Sequence, residues 1–156
     1  MSELISGKEI GAKINDKLGK ELHKLKLKGI EPCLAVILVG DDPASQVYVR
    51  NKKRTCEEIG IRSIGHDLPS STTQKNLEEL IKKLNNDTTV NGILCQFPLP
   101  KGLDENKIIL TISPEKDVDG LHPLNAGLIA MGKPKFISCT PYGVLQMLKQ
   151  SGISTS

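Results

Sequence analysis

The stretch Cys33-Leu34-Ala35-Val36-Ile37-Leu38-Val39 is a continuous apolar run, a pattern typical of a strand that is buried on both faces of a sheet. A turn at Gly40-Asp41-Asp42-Pro43 follows it, and then an amphipathic helix over residues 45–59. Working outward, the sequence predicts strands at 61–68 and 90–97 and helices at 8–28, 73–85, 104–110, 124–131 and 141–150. Strands that alternate with helices predict an α/β fold, here a three-layer sandwich with a mostly parallel central sheet flanked by helices.

The composition excludes several classes of protein. Of the 156 residues, 38% are hydrophobic, 25% are charged and only 3% are aromatic. The apolar fraction excludes a disordered chain, and so few aromatic residues argue against a module that stacks nucleic-acid bases. The net charge of +3 is too small to predict a polyanionic partner. We therefore expect a globular protein with no nucleic-acid partner.

The cysteines and the N-terminal sequence predict where the protein resides. The four cysteines are widely separated, so the sequence predicts no zinc site and no other metal site. Cys33, Cys56 and Cys95 lie among aliphatic residues, which predicts small buried side chains in a reducing compartment. The apolar runs are too short to cross a bilayer, and the acidic N-terminus does not resemble a signal peptide. We expect a cytoplasmic protein with no membrane partner.

Lys52 interrupts the apolar face of the second predicted helix. At roughly 100° per residue, Tyr48, Val49, Cys56 and Ile59 share one arc, and Lys52 falls in its middle. A lysine that faces a core is costly to bury unless it is paired, because its charge loses hydration. The first interpretation is that the Lys52 side chain extends along the helix to reach water. Because the phenol of Tyr48 lies one turn away, a second interpretation is a partly desolvated amine that transfers protons or attacks an electrophilic carbon.

Other polar positions are further candidates. Gln96 lies at the C-terminal end of the buried strand predicted at 90–97, at the edge where parallel sheets bind ligands, although backbone groups could satisfy its amide equally well. Asp117 and Asp119 precede Gly120, and an ordinary turn is the simpler explanation of that spacing. His122 is interpreted as a structural residue.

Four separate motifs span nearly the whole chain. They are Ala44-Ser45-Gln46-Val47-Tyr48-Val49-Arg50-Asn51-Lys52-Lys53 with Cys56 and Gly60-Ile61, then Gly92-Ile93-Leu94-Cys95-Gln96-Phe97-Pro98-Leu99-Pro100, then Pro114-Glu115-Lys116-Asp117-Val118-Asp119-Gly120, and last Asn125-Ala126-Gly127 with Cys139-Thr140-Pro141-Tyr142-Gly143. In this order they resemble the bifunctional methylenetetrahydrofolate dehydrogenase/methenyltetrahydrofolate cyclohydrolase family. The resemblance implies an α/β catalytic domain and an enzyme of one-carbon metabolism.

The resemblance implies two reactions and a role for each candidate residue. Family members oxidise 5,10-methylenetetrahydrofolate by hydride transfer to NADP, or in some members to NAD, and then hydrolyse the methenyl product to 10-formyltetrahydrofolate, which serves purine biosynthesis. By resemblance, Lys52 is the general acid/base, and Gln96 holds its amine in place. Tyr48 stacks on the folate and Asp119 accepts hydrogen bonds from the pterin. The expected catalytic residues are Lys52, Tyr48 and Gln96. The expected substrate contacts are Tyr48, Lys52, Gln96, Pro98, Leu99 and Asp119.

The resemblance also implies a second domain. Family members are nearly twice as long, and their second half is a Rossmann domain that binds the dinucleotide phosphates. We find no G-x-G-x-x-G loop here, so we expect residues 1–139 to be the tetrahydrofolate-binding domain and 140–156 a linker helix toward an absent NADP-binding domain. That helix is predicted to have Thr140 as its N-cap, Pro141 at its first position and Gly152 as its C-cap. The full-length protein is expected to be a homodimer.

Other functions stay open at this point. The chain could be a folate-binding module or a scaffold fragment without turnover, or it could use Lys52 to form a Schiff base. A truncated, proteolysed or incomplete protein would each account for the expected missing domain. Such a chain is expected to lack NADP-dependent oxidation and to retain weak hydrolysis, because its cleft lacks a second wall.

Overall fold

The computed structural model describes residues 4–154. In that part of the chain six α-helices and three β-strands follow one another: α1 Gly7–Leu27, β1 Cys33–Val39, α2 Pro43–Ile59, β2 Arg62–Leu68, α3 Gln74–Asn86, β3 Gly92–Cys95, α4 Glu105–Thr111, α5 Pro123–Ala130 and α6 Cys139–Gln150. Residues 1–3, at the start of the predicted domain, and 155–156, at the end of the predicted linker, lie outside the described residues.

The three strands form one parallel sheet in the order β2-β1-β3. The continuous apolar run Cys33–Val39 is the central strand, β1. Its Ile37 lies beside His66 of β2 on one side and Cys95 of β3 on the other. This sheet and the order of the elements confirm the predicted α/β fold.

Helices cover both faces of the sheet. On one face Ile37 packs with Leu77 and Ile81 of α3, and all three are fully buried. On the other face Val36 packs in a smaller core with Val49 of α2. The continuous apolar run of β1 therefore contacts hydrophobic neighbours on both sides, which is the reason that it does not alternate with polar residues. The predicted three-layer sandwich is confirmed.

α2, which carries most of the candidate site, begins two residues before its predicted start. Asp42 is its N-cap, since the side chain of Asp42 accepts a hydrogen bond from the backbone N–H of Ser45 at 2.8 Å. Pro43 occupies the first turn, where a missing N–H leaves no hydrogen bond unmade. Gly60 ends the helix as predicted, with a φ of +92° that favours glycine. α2 is therefore fixed at both ends as it returns from the carboxyl end of β1 to the start of β2.

β3 is shorter than the strand predicted at 90–97. Val90 N donates to Asp87 O at 3.1 Å and so belongs to the turn after α3. At the other end Pro98 has no N–H to donate, and the strand ends at Cys95. The predicted strand was too long because Val90 and Phe97 are apolar although they lie outside the hydrogen-bonded strand. Hydrophobicity indicates that a residue is buried, and it does not indicate whether its backbone pairs with another strand.

The start of α6 also differs from its prediction. The helix begins at Cys139 and its N-cap is Ser138, which makes no side-chain capping bond, so the prediction of Thr140 as N-cap is wrong. Pro141 occupies a later position of the first turn, where backbone N–H groups still have no helical partner. At the other end the C-cap is Ser151, and Gly152 follows it with a φ of +73°.

Candidate active site

The buried face of α2 differs from the predicted arc. Val49 and Cys56 are buried as predicted, but the third buried residue is Ser45, whereas Tyr48 is 62% exposed. Lys52 is half-buried beside this face. The prediction that Lys52 lies in the middle of the buried arc is wrong, because the helix turns the small side chain of Ser45 toward the sheet and the large ring of Tyr48 away from it.

Lys52 is nevertheless held at the predicted partner. Its Nζ donates a hydrogen bond to Oε1 of Gln96 over 3.4 Å. Gln96 Nε2 donates to Phe97 O at 2.7 Å, and the backbone N–H of Gln96 donates to Ile37 O at 2.9 Å. Since the backbone satisfies the nitrogen of the amide, its oxygen is left to accept from the lysine. The two interpretations of Gln96 are therefore compatible. Its amide nitrogen is satisfied by backbone, and its amide oxygen holds the Lys52 amine at the carboxyl end of β3.

Asp119 is carried by an irregular segment that runs beside β3. The backbone N–H of Ile93 in β3 donates to Lys116 O of that segment at 2.7 Å. Gly92 permits the close approach, since a Cβ there would lie 2.5 Å from Cγ1 of Val118. Asp119 thus follows directly after a stretch that is anchored along the edge of the sheet.

Charges couple Asp119 to Lys52. Burial raises the pKa of Asp119, against the lowering effect of the Lys52 ammonium, and the carboxylate of Asp117 adds to the rise. Burial also raises the pKa of the Cys139 thiol, which feels the negative charge of Asp119 and the positive charge of Lys52. Lys52, Asp119 and Cys139 therefore lie within electrostatic reach of one another, although they come from three separate parts of the sequence.

Tyr48, Lys52 and Asp119 line one cleft of about 550 Å³. That volume accommodates a small organic molecule, and much of the remaining wall is apolar, as in most small-molecule sites. The cleft extends from these residues along the sheet to Cys33 and Gly92, at the amino ends of β1 and β3. It therefore lies over a face of the sheet and is not confined to the carboxyl ends of the strands, where a ligand was expected.

The sequence analysis missed two polar residues of this cleft. Asn51 and Thr55 line it together with Tyr48 and Lys52. The four residues have the spacing i, i+3, i+4 and i+7, which places them on one face of a helix. A search for polar residues at this spacing, in place of an apolar arc, would have found them.

Three of the expected substrate contacts, Gln96, Pro98 and Leu99, are not among the residues that line the cleft. Gln96 is joined to the cleft by its hydrogen bond to Lys52. Leu99 packs against the larger core, and its backbone N–H donates to Oε1 of Glu105 at 2.7 Å. Their role as substrate contacts stays a prediction.

The surroundings of the three buried cysteines and of His122 indicate structural roles. Cys33, Cys56 and Cys95 are buried and free, as the sequence predicted, and burial raises the pKa of Cys95 to about 12. Cys139 is also free but exposed. His122 Nδ1 accepts from the backbone N–H of Leu124 at 3.1 Å and so caps α5, in agreement with its structural interpretation.

Residues 5–119 match the family described as "Tetrahydrofolate dehydrogenase/cyclohydrolase, catalytic domain". The matched range contains Tyr48, Lys52, Gln96 and Asp119. The chain belongs to the tetrahydrofolate dehydrogenase/cyclohydrolase family. Membership confirms the resemblance that the four motifs carried.

Curated members of this family are similar to almost all of the chain. The bifunctional protein FolD of Agathobacter rectalis is 56% identical over 153 residues, which cover 98% of this chain and 55% of that protein. FolD of Ruminiclostridium cellulolyticum is 51% identical over 155 residues, 99% of this chain and 55% of that protein. The chain therefore spans about half the length of the curated relatives it matches.

Solved structures of the tetrahydrofolate dehydrogenase/cyclohydrolase family share the fold. The bifunctional enzyme FolD of Campylobacter jejuni is 48% identical with a TM-score of 0.94, over 97% of this chain and 54% of that chain. The N5,N10-methylenetetrahydrofolate dehydrogenase-cyclohydrolase of Trypanosoma brucei, solved with NADP cofactor and inhibitor, is 33% identical with a TM-score of 0.93, over 97% of this chain and 52% of that chain. The sandwich thus has the fold of these family members.

The turn between β1 and α2 does not fit the NADP that this family implies. Dinucleotide phosphates bind glycine-rich turns at the N-terminus of a helix. Here the turn is Gly40-Asp41-Asp42-Pro43, and the Asp42 carboxylate already caps the helix. Hydrogen bonds from Ser45 lower the pKa of Asp42, so this carboxyl is ionised at neutral pH. A phosphate at the turn would face two aspartates.

Two further kinds of site are absent from residues 4–154. No three of their histidines, cysteines, aspartates and glutamates are grouped closely enough to hold a metal ion. No helix in this range is both long enough and apolar enough to cross a lipid bilayer.

Proposed function

We propose that this chain is the folate-binding, catalytic half of a methylenetetrahydrofolate dehydrogenase/methenyltetrahydrofolate cyclohydrolase. Family membership supports the substrate class. The observation that carries the proposal is the hydrogen bond between Lys52 and Gln96, beside a cleft that Asp119 also lines. The site therefore offers an amine for proton transfer and a carboxylate for recognition next to one substrate-sized space.

Hydrolysis is the reaction for which the chain supplies its own proton carrier. Water adds to the methenyl carbon of 5,10-methenyltetrahydrofolate and gives up a proton. The bond from that carbon to N5 then breaks, N5 takes a proton, the new hydroxyl on the carbon releases its own proton, and the carbon stays on N10 as a formyl group. One water is consumed and one proton is released. In this proposal Lys52 Nζ moves the proton between the water and N5, and Gln96 Oε1 holds Nζ in place.

Tyr48 and Asp119 bind the substrate in this proposal. The ring of Tyr48 lines the cleft and is 62% exposed, so an aromatic part of folate can stack on it. The Asp119 carboxylate accepts hydrogen bonds from N–H groups of the pterin. Burial of Asp119 favours this role, because a poorly hydrated carboxylate gains more from each donor that the substrate brings.

The oxidation requires NADP, which we place outside the described residues. Residues 1–139 form the tetrahydrofolate-binding domain in this proposal, and 140–156 contain the linker helix, the greater part of α6, toward a Rossmann domain. The curated relatives support this division, since the chain covers 55% of the FolD protein of Agathobacter rectalis. We further propose that the full-length protein is a cytoplasmic homodimer without nucleic-acid or membrane partners.

One observation favours a second candidate, a folate-binding module without turnover. Tyr48 is 62% exposed, so the cleft of this chain does not exclude water from one of its walls. Water exclusion and exact positioning both contribute to the rate of enzymatic reactions. A chain with an open cleft can therefore bind folate and still turn it over slowly or not at all.

The loss of absorbance of 5,10-methenyltetrahydrofolate distinguishes the two candidates. The assay compares the unmodified chain with Lys52→Met and with Lys75→Met, a control at an 83% exposed side chain. The enzyme requires hydrolysis above background that Lys52→Met abolishes and Lys75→Met retains. Background rates in all three proteins, with tetrahydrofolate binding retained, would support the module. Trapping with borohydride and a carbonyl compound tests the Schiff-base alternative, and we expect no covalent adduct.

A further inference from the structure

Asp117 and Asn125 form a buried polar pair outside the cleft. Asp117 is 3% exposed and Asn125 is 0% exposed. Asn125 Nδ2 donates to Oδ2 of Asp117 at 2.9 Å, and the backbone N–H of His122 donates to the same oxygen at 2.9 Å. The charge of Asp117 is thus compensated by two donors, as a buried carboxylate requires.

The pair ties together the segment that carries Asp119. Asn125 Nδ2 also donates to Pro114 O at 3.0 Å, so one amide links the start of the segment to its middle. Asp119 lies two residues after Asp117 and three residues before His122, whose backbone N–H binds the Asp117 carboxylate. Between α4 and α5 the segment forms no helix or strand apart from an isolated backbone bridge between Asp117 and Ile93, so the side-chain bonds help to fix its path.

The opposite side of the segment is fixed by close packing. Gly120 has a φ of +65°, and a Cβ there would lie 3.1 Å from the backbone N of Ser138. The backbone on both sides of Asp119 is therefore held, by the bonds of Asp117 before it and by the close contact of Gly120 after it.

We infer that Asn125 is a positioning residue that acts through Asp117 to hold Asp119 in the cleft. The inference rests on the proposed function, because it takes Asp119 as the group that binds the pterin. Asn125 itself does not line the cleft. In this inference its effect on the substrate passes through Asp119, so the two residues are expected to be energetically coupled.

A double-mutant cycle on the full chain tests this coupling. The probe is tetrahydrofolate, and its dissociation constant is measured by calorimetry for the unmodified chain, Asn125→Ala, Asp119→Asn and the double variant. Asn125→Ala is expected to weaken binding about tenfold in the unmodified background and less than twofold in the Asp119→Asn background. Asn125→Leu, which fills the same space without donors, is the second variant and is expected to behave as Asn125→Ala does.

Two controls separate positioning from a general loss of stability. Thr73→Ala removes the N-cap bond of α3, where Thr73 Oγ1 accepts from Asn76 N at 3.2 Å, so it lowers the melting temperature without reaching Asp119. It is expected to leave tetrahydrofolate binding unchanged. Asp117→Asn keeps an oxygen for His122 and Asn125, and should therefore weaken binding less than Asn125→Ala.

Each outcome decides between the inference and its alternatives. Equal losses of affinity from Asn125→Ala with and without Asp119 would overturn the inference and leave the proposed function intact. So would unchanged affinity in Asn125→Ala and Asn125→Leu. Absence of tetrahydrofolate binding to the unmodified chain would overturn both.

Discussion

Lys52 Nζ lies 3.4 Å from Oε1 of Gln96, and this hydrogen bond joins the middle of α2 to the end of β3. An amide oxygen accepts from a charged ammonium and from a neutral amine alike. Lys52 can therefore gain and lose a proton without losing its partner. A carboxylate in the same place would bind the charged form much more strongly than the neutral one.

This relationship makes Gln96→Glu an informative substitution. The new carboxylate would hold Lys52 as a charged ion pair, and a lysine that stays charged cannot take a proton from water. We expect kcat for methenyltetrahydrofolate hydrolysis to fall about a hundredfold, with KM changed much less. Gln46→Glu, at an exposed position of α2, the helix that carries Lys52, is the control. An equal rise in KM with an unchanged kcat would mean that Gln96 binds substrate and does not orient Lys52.

Asp119 is expected to reduce the stability of the chain at neutral pH. Burial raises the pKa of its carboxyl above the ordinary value of 3.8, so the folded chain holds this proton more tightly than the unfolded chain. The stabilisation that this one carboxyl contributes is therefore fully present below pH 3.8 and is lost as the pH rises through its raised pKa. We expect Asp119→Asn to raise the melting temperature by a few degrees at pH 7, and the gain to shrink as the pH falls. The exposed Asp16→Asn should show neither effect.

Gly92 is expected to be required for its small size. A Cβ at this position would lie 2.5 Å from Cγ1 of Val118, so Gly92→Ala must displace Val118 or the strand. We expect a loss of about 1–3 kcal/mol in the free energy of unfolding, measured with urea. Val118→Ala in the same chain should recover much of the loss, because it removes the methyl groups that clash. Gly19→Ala in α1 has open space around it and should stabilise the chain. Failure of Val118→Ala to recover stability would place the strain elsewhere.

The four thiols are expected to differ sharply in reactivity. Cys33, Cys56 and Cys95 are buried, and the pKa of about 12 keeps the Cys95 thiol protonated at neutral pH. Cys139 is exposed and lines the cleft, so iodoacetamide should modify it first. The reaction should still be slow, because partial burial of the thiol against the cleft wall and the negative charge of Asp119 raise its pKa. Mass spectrometry of the native chain should show one label, with four after unfolding. Tetrahydrofolate should slow the labelling of Cys139, and an unchanged rate would argue that folate binds away from this wall.

The central part of the fold could be predicted from the sequence because its signals are local. β1 has the predicted bounds, since every residue of the run is apolar and a glycine turn follows. α3 is within one residue of its prediction, since Leu77, Ile81 and Leu84 repeat at helical spacing and all are buried. The limits of β3 and α6 were misplaced, because strand pairing and capping depend on backbone hydrogen bonds that side-chain hydrophobicity does not report.

The candidate site was predictable only in part. Lys52 was found because it contradicts an apolar pattern, although its position on the helix was misjudged when the small polar Ser45 was left out of the buried face. The Asp117–Asn125 pair was not found, because its partners lie eight residues apart in an irregular segment and follow no period. Contacts of that kind are set by the tertiary structure, and a single sequence carries no signal for them.

The most direct test of the account is to map tetrahydrofolate onto the isotopically labelled chain by nuclear magnetic resonance. If the cleft is the folate site, the largest changes in backbone amide signals will fall at Tyr48, Lys52, Gln96 and Asp119. Lys52→Met will then lower the affinity for tetrahydrofolate measured in the same titration. A second groove lies between α1 and α6 and is lined by Ile10, Leu18 and Met147, among others. Changes confined to that groove, or no change at all at saturating tetrahydrofolate, would contradict the account.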